Sequence, residues 1–351
     1  MADGLPDMQY RMLGRTGLKV SVIGFGGWLT THGGPIDKDT TFECIKKAYD
    51  AGVNFFDTAE GRPGAMSETF LGQAIKRFRW QQADIIVATK IFQGSADSNR
   101  PRKAGNNKSL ARKHILEGMD ASLRRLDLPC VDVVYAHKPD DETPIEDIVR
   151  AFNYLVNSGK AMYWGTWDWT EAQITEATEA AAALHLTGPD VDQPEYNLLA
   201  HGRVHHEYVP LYTHLLHGMT THSPLKKGIL MGKYNIVVTP PPTSPRAETR
   251  AKFIEEYREA FGEESWTKDL TKVRKLIGVA DELGVSLTQL SIAWTLRNED
   301  VSCVIIGASR EDQVEESIRS LDVLPRLTDA VIAQIKLATG NNTTRYSTSS
   351  E

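Results

Sequence analysis

Short apolar runs rich in β-branched residues alternate with longer amphipathic segments along the whole 351-residue chain, and this rhythm restricts the possible folds more than any single motif does. Runs suited to buried strands are Val20 to Gly24, Val53 to Phe56, Ile85 to Thr89, Val131 to Ala136, Ala161 to Gly165, Val191 to Gln193, Gly218 to Thr221 and Cys303 to Ile306. Between them, apolar residues recur at helical spacing in Thr40 to Ala51, Ser67 to Phe78, Leu110 to Leu126, Pro144 to Asn157, Glu171 to Ala182 and Val204 to Leu216, several with a polar residue placed to cap the first turn. Strand then helix, repeated without a compositional break, predicts an α/β fold of the closed (β/α)8 TIM-barrel type rather than an open doubly wound sheet. The alternation from Gln9 to Lys19 around Arg15-Thr16-Gly17 predicts an N-terminal β-hairpin closing the bottom of the barrel. Arg310 to Ser320 and Asp329 to Leu337 predict C-terminal helices. One barrel unit is expected over residues 1–340, followed by a disordered polar tail over 341–351.

Composition narrows the partners. A net charge of -6 and a pI near 6.0 argue against nucleic acid or an anionic membrane surface, both of which need concentrated basic charge. A small molecule fits better. No stretch approaches the roughly 20 apolar residues of a membrane span, and the opening residues lack the basic-then-apolar pattern of a signal peptide, so a cytoplasmic protein is expected. Cys44, Cys130 and Cys303 lie far apart in apolar segments and read as buried thiols; no metal site is expected. His205-His206 reads as helix surface rather than a ligand pair. The Gly24-Phe25-Gly26-Gly27 stretch lacks the third glycine of a dinucleotide fingerprint at its required offset.

Polar residues at the C-terminal ends of barrel strands converge on one cavity. Asp57 follows Val53 to Phe56, Lys90 follows Ile85 to Thr89, and His137 follows Val131 to Ala136. Singly, each has an ordinary explanation as a turn cap, a solvent-reaching amine or a satisfied core histidine. Three ionisable groups on different strand ends make an active site the better reading. A carboxylate beside a lysine keeps it charged, and that cation can favour a developing alkoxide. A histidine aimed at the same point can orient a carbonyl or carry its proton.

The stretches LGRTGLKVSVIGFGGW, AGVNFFDTAE, LARKHILEGMDASLRRL, VDVVYAHKPD, GKAMYWGT, SPLKKGILMGKY, IAWTLRNEDVSCVIIGAS and EDQVEESI, in this order, resemble the aldo-keto reductases. The resemblance covers roughly residues 9 to 335 and is nearest the branch holding potassium-channel β subunits and fungal relatives. It implies a barrel that binds NADP(H) in extended form and reduces aldehydes or ketones. It further implies catalytic roles for Asp57, Lys90 and His137, with Gly27 and Trp28 beside the cofactor. Gln193 and His222 would stand at its nicotinamide, Ser223, Pro224, Leu225, Gly228, Lys233 and Arg246 along its phosphates, and Ser309, Gln313, Glu316 and Ser317 at its adenosine. Trp28, Arg62 and Trp167 would wall the substrate pocket.

The chain departs from the family pattern on the nicotinamide side. Trp167 stands where the family has a serine, and His222 stands where it has a stacking aromatic residue. Arg62 takes the place of the catalytic tyrosine, followed by the stiffening Pro63. An arginine, with a pKa above ~12, cannot donate that tyrosine's proton, a role worth about 100- to 10,000-fold in rate. It can grip an oxyanion or carboxylate in bidentate fashion. Three functions follow: a carbonyl reductase with a rebuilt proton donor centred on His137, a barrel turned to a non-redox step such as dehydration, cyclisation or isomerisation of an oxygenated metabolite, or a cofactor-sensing regulatory subunit. The loops Gln93 to Asn107 and Pro240 to Glu264 match no motif, and the oligomeric state stays open, a homo-oligomer included.

Overall fold

A computed structural model of the protein describes residues 4–27, 38–61, 66–94, 108–235 and 245–340, with backbone alone for 245–250. Two strands, β1 (Tyr10–Met12) and β2 (Lys19–Ser21), pair antiparallel as the hairpin expected at the N-terminus. Eight more form the barrel: β3 (Ile23–Gly26), β4 (Phe55–Asp57), β5 (Ile86–Ile91), β6 (Val131–His137), β7 (Ala161–Trp167), β8 (Val191–Gln193), β9 (Gly218–Thr221) and β10 (Cys303–Ile306). They are parallel and close in the order β10-β3-β4-β5-β6-β7-β8-β9, as the sequence rhythm predicts.

Helices α1 (Lys38–Asp50), α2 (Met66–Phe78), α3 (Arg112–Leu126), α4 (Ile145–Asn157), α5 (Glu171–Ala183) and α6 (Val209–Thr213) follow the strands. Farther along lie α7 (Pro245–Phe261), α8 (Glu263–Leu283), α9 (Leu287–Leu296), α10 (Glu311–Ile318), α11 (Ser320–Val323) and α12 (Asp329–Thr339). Local chemistry sets several of these starts. Thr170 and Gln173 form a reciprocal capping box on α5, and Ser286 and Gln289 do the same on α9. Among the described residues, no single helix is long and apolar enough to cross a membrane.

Strand alternation sorts the apolar residues into two cores. One lies between strands and helices and includes Phe56, Val87, Val134, Phe152 and Trp164. The other fills the lumen with Phe55, Ile86, Val133, Tyr135, Val191, Cys303 and Ile305. The hairpin plugs its lower end. Arg11 ties that plug to the wall: its guanidinium donates to the carbonyls of Leu296 (2.8 Å), Asn298 (3.0 Å) and Val301 (2.6 Å), where α9 ends.

Four expectations need correction. The run Val20 to Gly24 is two elements, because Lys19–Ser21 pairs in the hairpin and only Ile23–Gly26 enters the barrel. Val204 to Leu216 is a wide turn over Arg203–Glu207 and then the short α6, Pro210 being tolerated only in a helix's first turn. The irregular segment Pro240 to Glu264 contains helix α7, whose residues Phe253 and Tyr257 pack on Trp266 of α8. His205 is buried rather than on the surface, with Nε2 2.7 Å from the Tyr196 hydroxyl. Of the remaining expectations, the tail over 341–351 and loop residues 95–107 lie outside the described residues.

Glycine makes room for the lumen's large side chains. A Cβ on Gly165 would stand 2.3 Å from the Val191 carbonyl oxygen and 3.2 Å from the Tyr135 ring. Gly165→Ala should therefore cost about 2 to 4 kcal/mol in urea denaturation, since the obstruction is backbone that cannot swing away.

Candidate active site

The strand ends bring Asp57, Lys90 and His137 to one end of the lumen. Lys90 Nζ contacts Asp57 Oδ2 and donates to the Thr58 carbonyl at 3.0 Å, with both charged side chains at 0% exposure. Burial lowers the Lys90 ammonium below the usual lysine value, and the charge and hydrogen bond of Asp57 oppose that fall. The lysine is thus a cation that surrenders its proton more readily than one in water. His137 is driven well below its ordinary 6.5, first by burial and then by the positive charge of Lys90. At neutral pH its imidazole is uncharged, which suits it to give a hydrogen bond rather than to act as an imidazolium acid.

A polar chain crosses the lumen from this pair. Gln193 Nε2 donates to Asp57 Oδ1 and to Thr220 Oγ1, each at 3.3 Å, and the Thr220 hydroxyl lies 3.0 Å from that of Tyr135. Gln193 is fully buried, and its Oε1 has no hydrogen-bond partner among the described residues. Such an orphan acceptor costs about 1 to 3 kcal/mol, so the position suits a ligand with an amide donor. Burial, followed by the charge of Asp57, pushes the Tyr135 phenol well above its ordinary value and makes it a poor acid.

Three rings line the mouth. Trp167 stacks on His222 (4.6 Å between centroids, 19° between planes) and meets His137 edge-on (4.6 Å, 85°). Each ring is followed by a non-glycine residue in the left-handed region: Lys138 (φ 79°), Asp168 (φ 60°) and Ser223 (φ 55°). Strained backbone of this kind gathers where a surrounding structure dictates side-chain direction. Asp168 accepts from Arg203 at 3.0 Å and faces His222 Nε2 at 3.7 Å. Burial alone would raise the Asp168 carboxyl, but His222 and Arg203 outweigh it and hold the group below its usual value.

The loop after β9 turns through left-handed Ser223, Lys226, Lys227 and Gly228, with Pro224 and Leu225 between them. A Cβ on Gly228 would come within 2.5 Å of Lys233 Nζ, so only glycine lets this amine lie under the loop. Burial lowers the Lys233 ammonium. Ser309 donates through both N (2.8 Å) and Oγ (3.1 Å) to Gln313 Oε1 at the start of α10. Glu316 Oε1 accepts from Ser286 Oγ at 2.7 Å, and Ser317 Oγ donates to the Gln313 carbonyl at 2.8 Å. Gly27 closes on α2, where its Cβ would stand 2.5 Å from Ser67 Cβ. Trp28, Arg62, Pro63 and the Arg246 side chain lie outside the described residues.

Sequence reasoning passed over Tyr135, Thr220 and Glu60. The first two precede His137 and His222 by one strand repeat, so period-2 alternation was the available signal. Glu60 is buried and accepts from Phe92 N (2.5 Å) and Gly94 N (3.1 Å), with His114 Nε2 at 2.9 Å. It joins the turn after β4 to the loop after β5.

A closed parallel barrel with ionisable side chains gathered at its C-terminal strand ends is the frame on which barrel enzymes carry their active sites. Residues 22–339 match the model of the aldo/keto reductase family, and the chain belongs to that family. It is 46% identical over 330 residues, spanning 94% of this chain and 96% of the relative, to a probable voltage-gated potassium channel subunit beta of Arabidopsis thaliana. A putative voltage-gated potassium channel subunit beta of Schizosaccharomyces pombe is 40% identical over 329 residues, 94% of this chain and 92% of that protein.

Two outcomes test these electrostatics. Asp57→Asn leaves a buried cation uncompensated and should cost about 3 to 5 kcal/mol in chemical denaturation. Adding Lys90→Met should recover part of that loss. For His137, the folded value lies below 6.5, so the unfolded chain takes the proton first. The stability of its neutral form is complete above about pH 6.5 and is lost as pH falls through the folded value. His137→Gln should remove up to about 1.4 kcal/mol per pH unit from the acid-side slope of stability.

Proposed function

We propose that the protein is a cytoplasmic NADP(H)-dependent oxidoreductase that reduces a carbonyl group on a small metabolite. The observation that carries this reading is the buried Lys90–Asp57 pair beside a neutral His137 at the lumen mouth. NADPH, when bound, would supply the hydride for the carbonyl carbon. His137 gives a hydrogen bond to the carbonyl oxygen and orients it. Lys90, weakened as a base by burial, is the proton source for the oxygen as it becomes an alcohol; the neutral amine then takes a proton from solvent, an uptake that the Asp57 carboxylate favours. Arg62 stays charged throughout and grips the oxyanion or a carboxylate of the substrate.

The residues present suit the cofactor. Gln193 Oε1 lacks a donor that an amide would bring. An anion over the Ser223 to Gly228 loop would relieve the desolvated Lys233, with Arg246 as a second phosphate partner. Ser309 and Gln313 open α10, whose N-terminal amides favour phosphate, and Glu316 and Ser317 complete the adenosine side.

A second reading is favoured by the names of the relatives: a nucleotide-binding subunit of a potassium channel. Recovery of such a channel with the tagged protein from gently solubilised membranes would support it, and none under conditions that preserve channel complexes would count against it.

The reductase is tested by NADPH oxidation across an aldehyde, ketone and quinone panel. Turnover is expected from the unmodified protein and should be lost in Lys90→Met. Arg62→Tyr should raise it by about 100- to 10,000-fold on simple aldehydes. Silence from both the protein and the tyrosine variant would overturn the reading.

A further inference from the structure

Trp167 is the last residue of β7, and in register it sits beside Gln193 on β8. Its indole, however, stacks on His222, which follows β9 on the far side of β8. The ring therefore reaches across the C-terminal end of β8, the strand that carries Gln193. There, Gln193 Oε1 is without a donor, and the indole Nε1 is itself without an acceptor among the described residues. With His222 Nε2 also unpaired, three unmatched polar atoms at one small site mark a cover that fills space without satisfying what it covers.

The platform under the indole is built. His222 is held at Nδ1, 3.0 Å from Ser223 Oγ, while its Nε2 faces Asp168 Oδ2 at 3.7 Å without a hydrogen bond. Asp168 is fixed in turn by Arg203 at 3.0 Å. The imidazole is thus secured at its Nδ1 edge and presents a face to the indole. Left-handed Asp168 and Ser223 turn the chain sharply after each ring and keep the rings aimed at the mouth.

We propose that Trp167 is an internal stand-in for a planar ligand ring, and that a ring carrying an amide donor for Gln193 binds only by turning the indole off His222. Trp167 is then a positioning residue that sets how readily the ring end of the ligand is seated, independently of the phosphate end. This rests on the cofactor reading above, in which that ring is the nicotinamide. Because the seated ring competes with the indole, apparent affinity equals the intrinsic affinity multiplied by the fraction of molecules in which the indole is already displaced.

The test compares NADP+ with adenosine 2′,5′-bisphosphate, which has no nicotinamide, by calorimetry and tryptophan fluorescence. The protein, Trp167→Ser and Trp167→Phe are titrated with each. NADP+ should bring an emission change in the protein that is missing in Trp167→Phe, and the bisphosphate should bring none. Trp167→Ser should bind NADP+ roughly 10-fold or more tightly than the protein does, with bisphosphate affinity unchanged. Bisphosphate binding by each variant also reports that it is folded. Equal NADP+ affinity in the protein and Trp167→Ser, or an emission change common to both ligands, would overturn the gate while leaving the cofactor reading standing. Binding of neither ligand to the unmodified protein would remove the cofactor reading and the gate with it.

Discussion

A charged lysine inside a barrel is tolerable only if a carboxylate shares its burial, and the pairing of Lys90 with Asp57 is the constraint around which this lumen is arranged. Below the pair, the interior is filled by Tyr135, Phe55 and Val191, which exclude the water that would otherwise screen the two charges. Glycine at 165 lets Tyr135 occupy that volume. Above the pair, Gln193 gives its amide N–H groups to Asp57 and Thr220, which leaves its carbonyl oxygen unmatched among the described residues. Burial, aided by the same cation, keeps His137 uncharged. Burial and this one ion pair together keep the neighbouring imidazole neutral, and the pair orients the amide opposite.

The chemistry follows from that economy of charge. A barrel that reduces a carbonyl needs a positive environment for the developing oxyanion and a proton held nearby. In the reductase we propose, Lys90 would meet both needs, burial having weakened its hold on the proton. The ring stack at the mouth is a separate device. In the reading we propose, it governs what reaches Gln193, whereas the ion pair governs the chemistry there.

The barrel was legible because its cause is repetitive: period-2 runs ended by turn residues, separated by period-3.6 faces. Asp57, Lys90 and His137 were legible because each ends an apolar run with an ionisable group. Tyr135 and Thr220 were not, since both are ordinary strand formers whose polar atoms matter only once the lumen closes around them. The Trp167–His222 stack was equally hidden, because it joins residues from strands that are not neighbours. Helix α9 escaped notice for a different reason: Leu287 to Leu296 is buried all round, so it lacks the polar face that reveals an amphipathic helix. His205 was misjudged from its polar neighbours, when its partner Tyr196 lies in the loop after β8.

The most direct test of this account is the titration of the Lys90 Nζ by nitrogen NMR in selectively labelled protein. The account predicts a midpoint below the ordinary lysine value of about 10.4, and a lower one still in Asp57→Asn. A midpoint at or above the ordinary value, unchanged in Asp57→Asn, would mean that neither burial nor Asp57 sets the charge of Lys90, and would contradict the account.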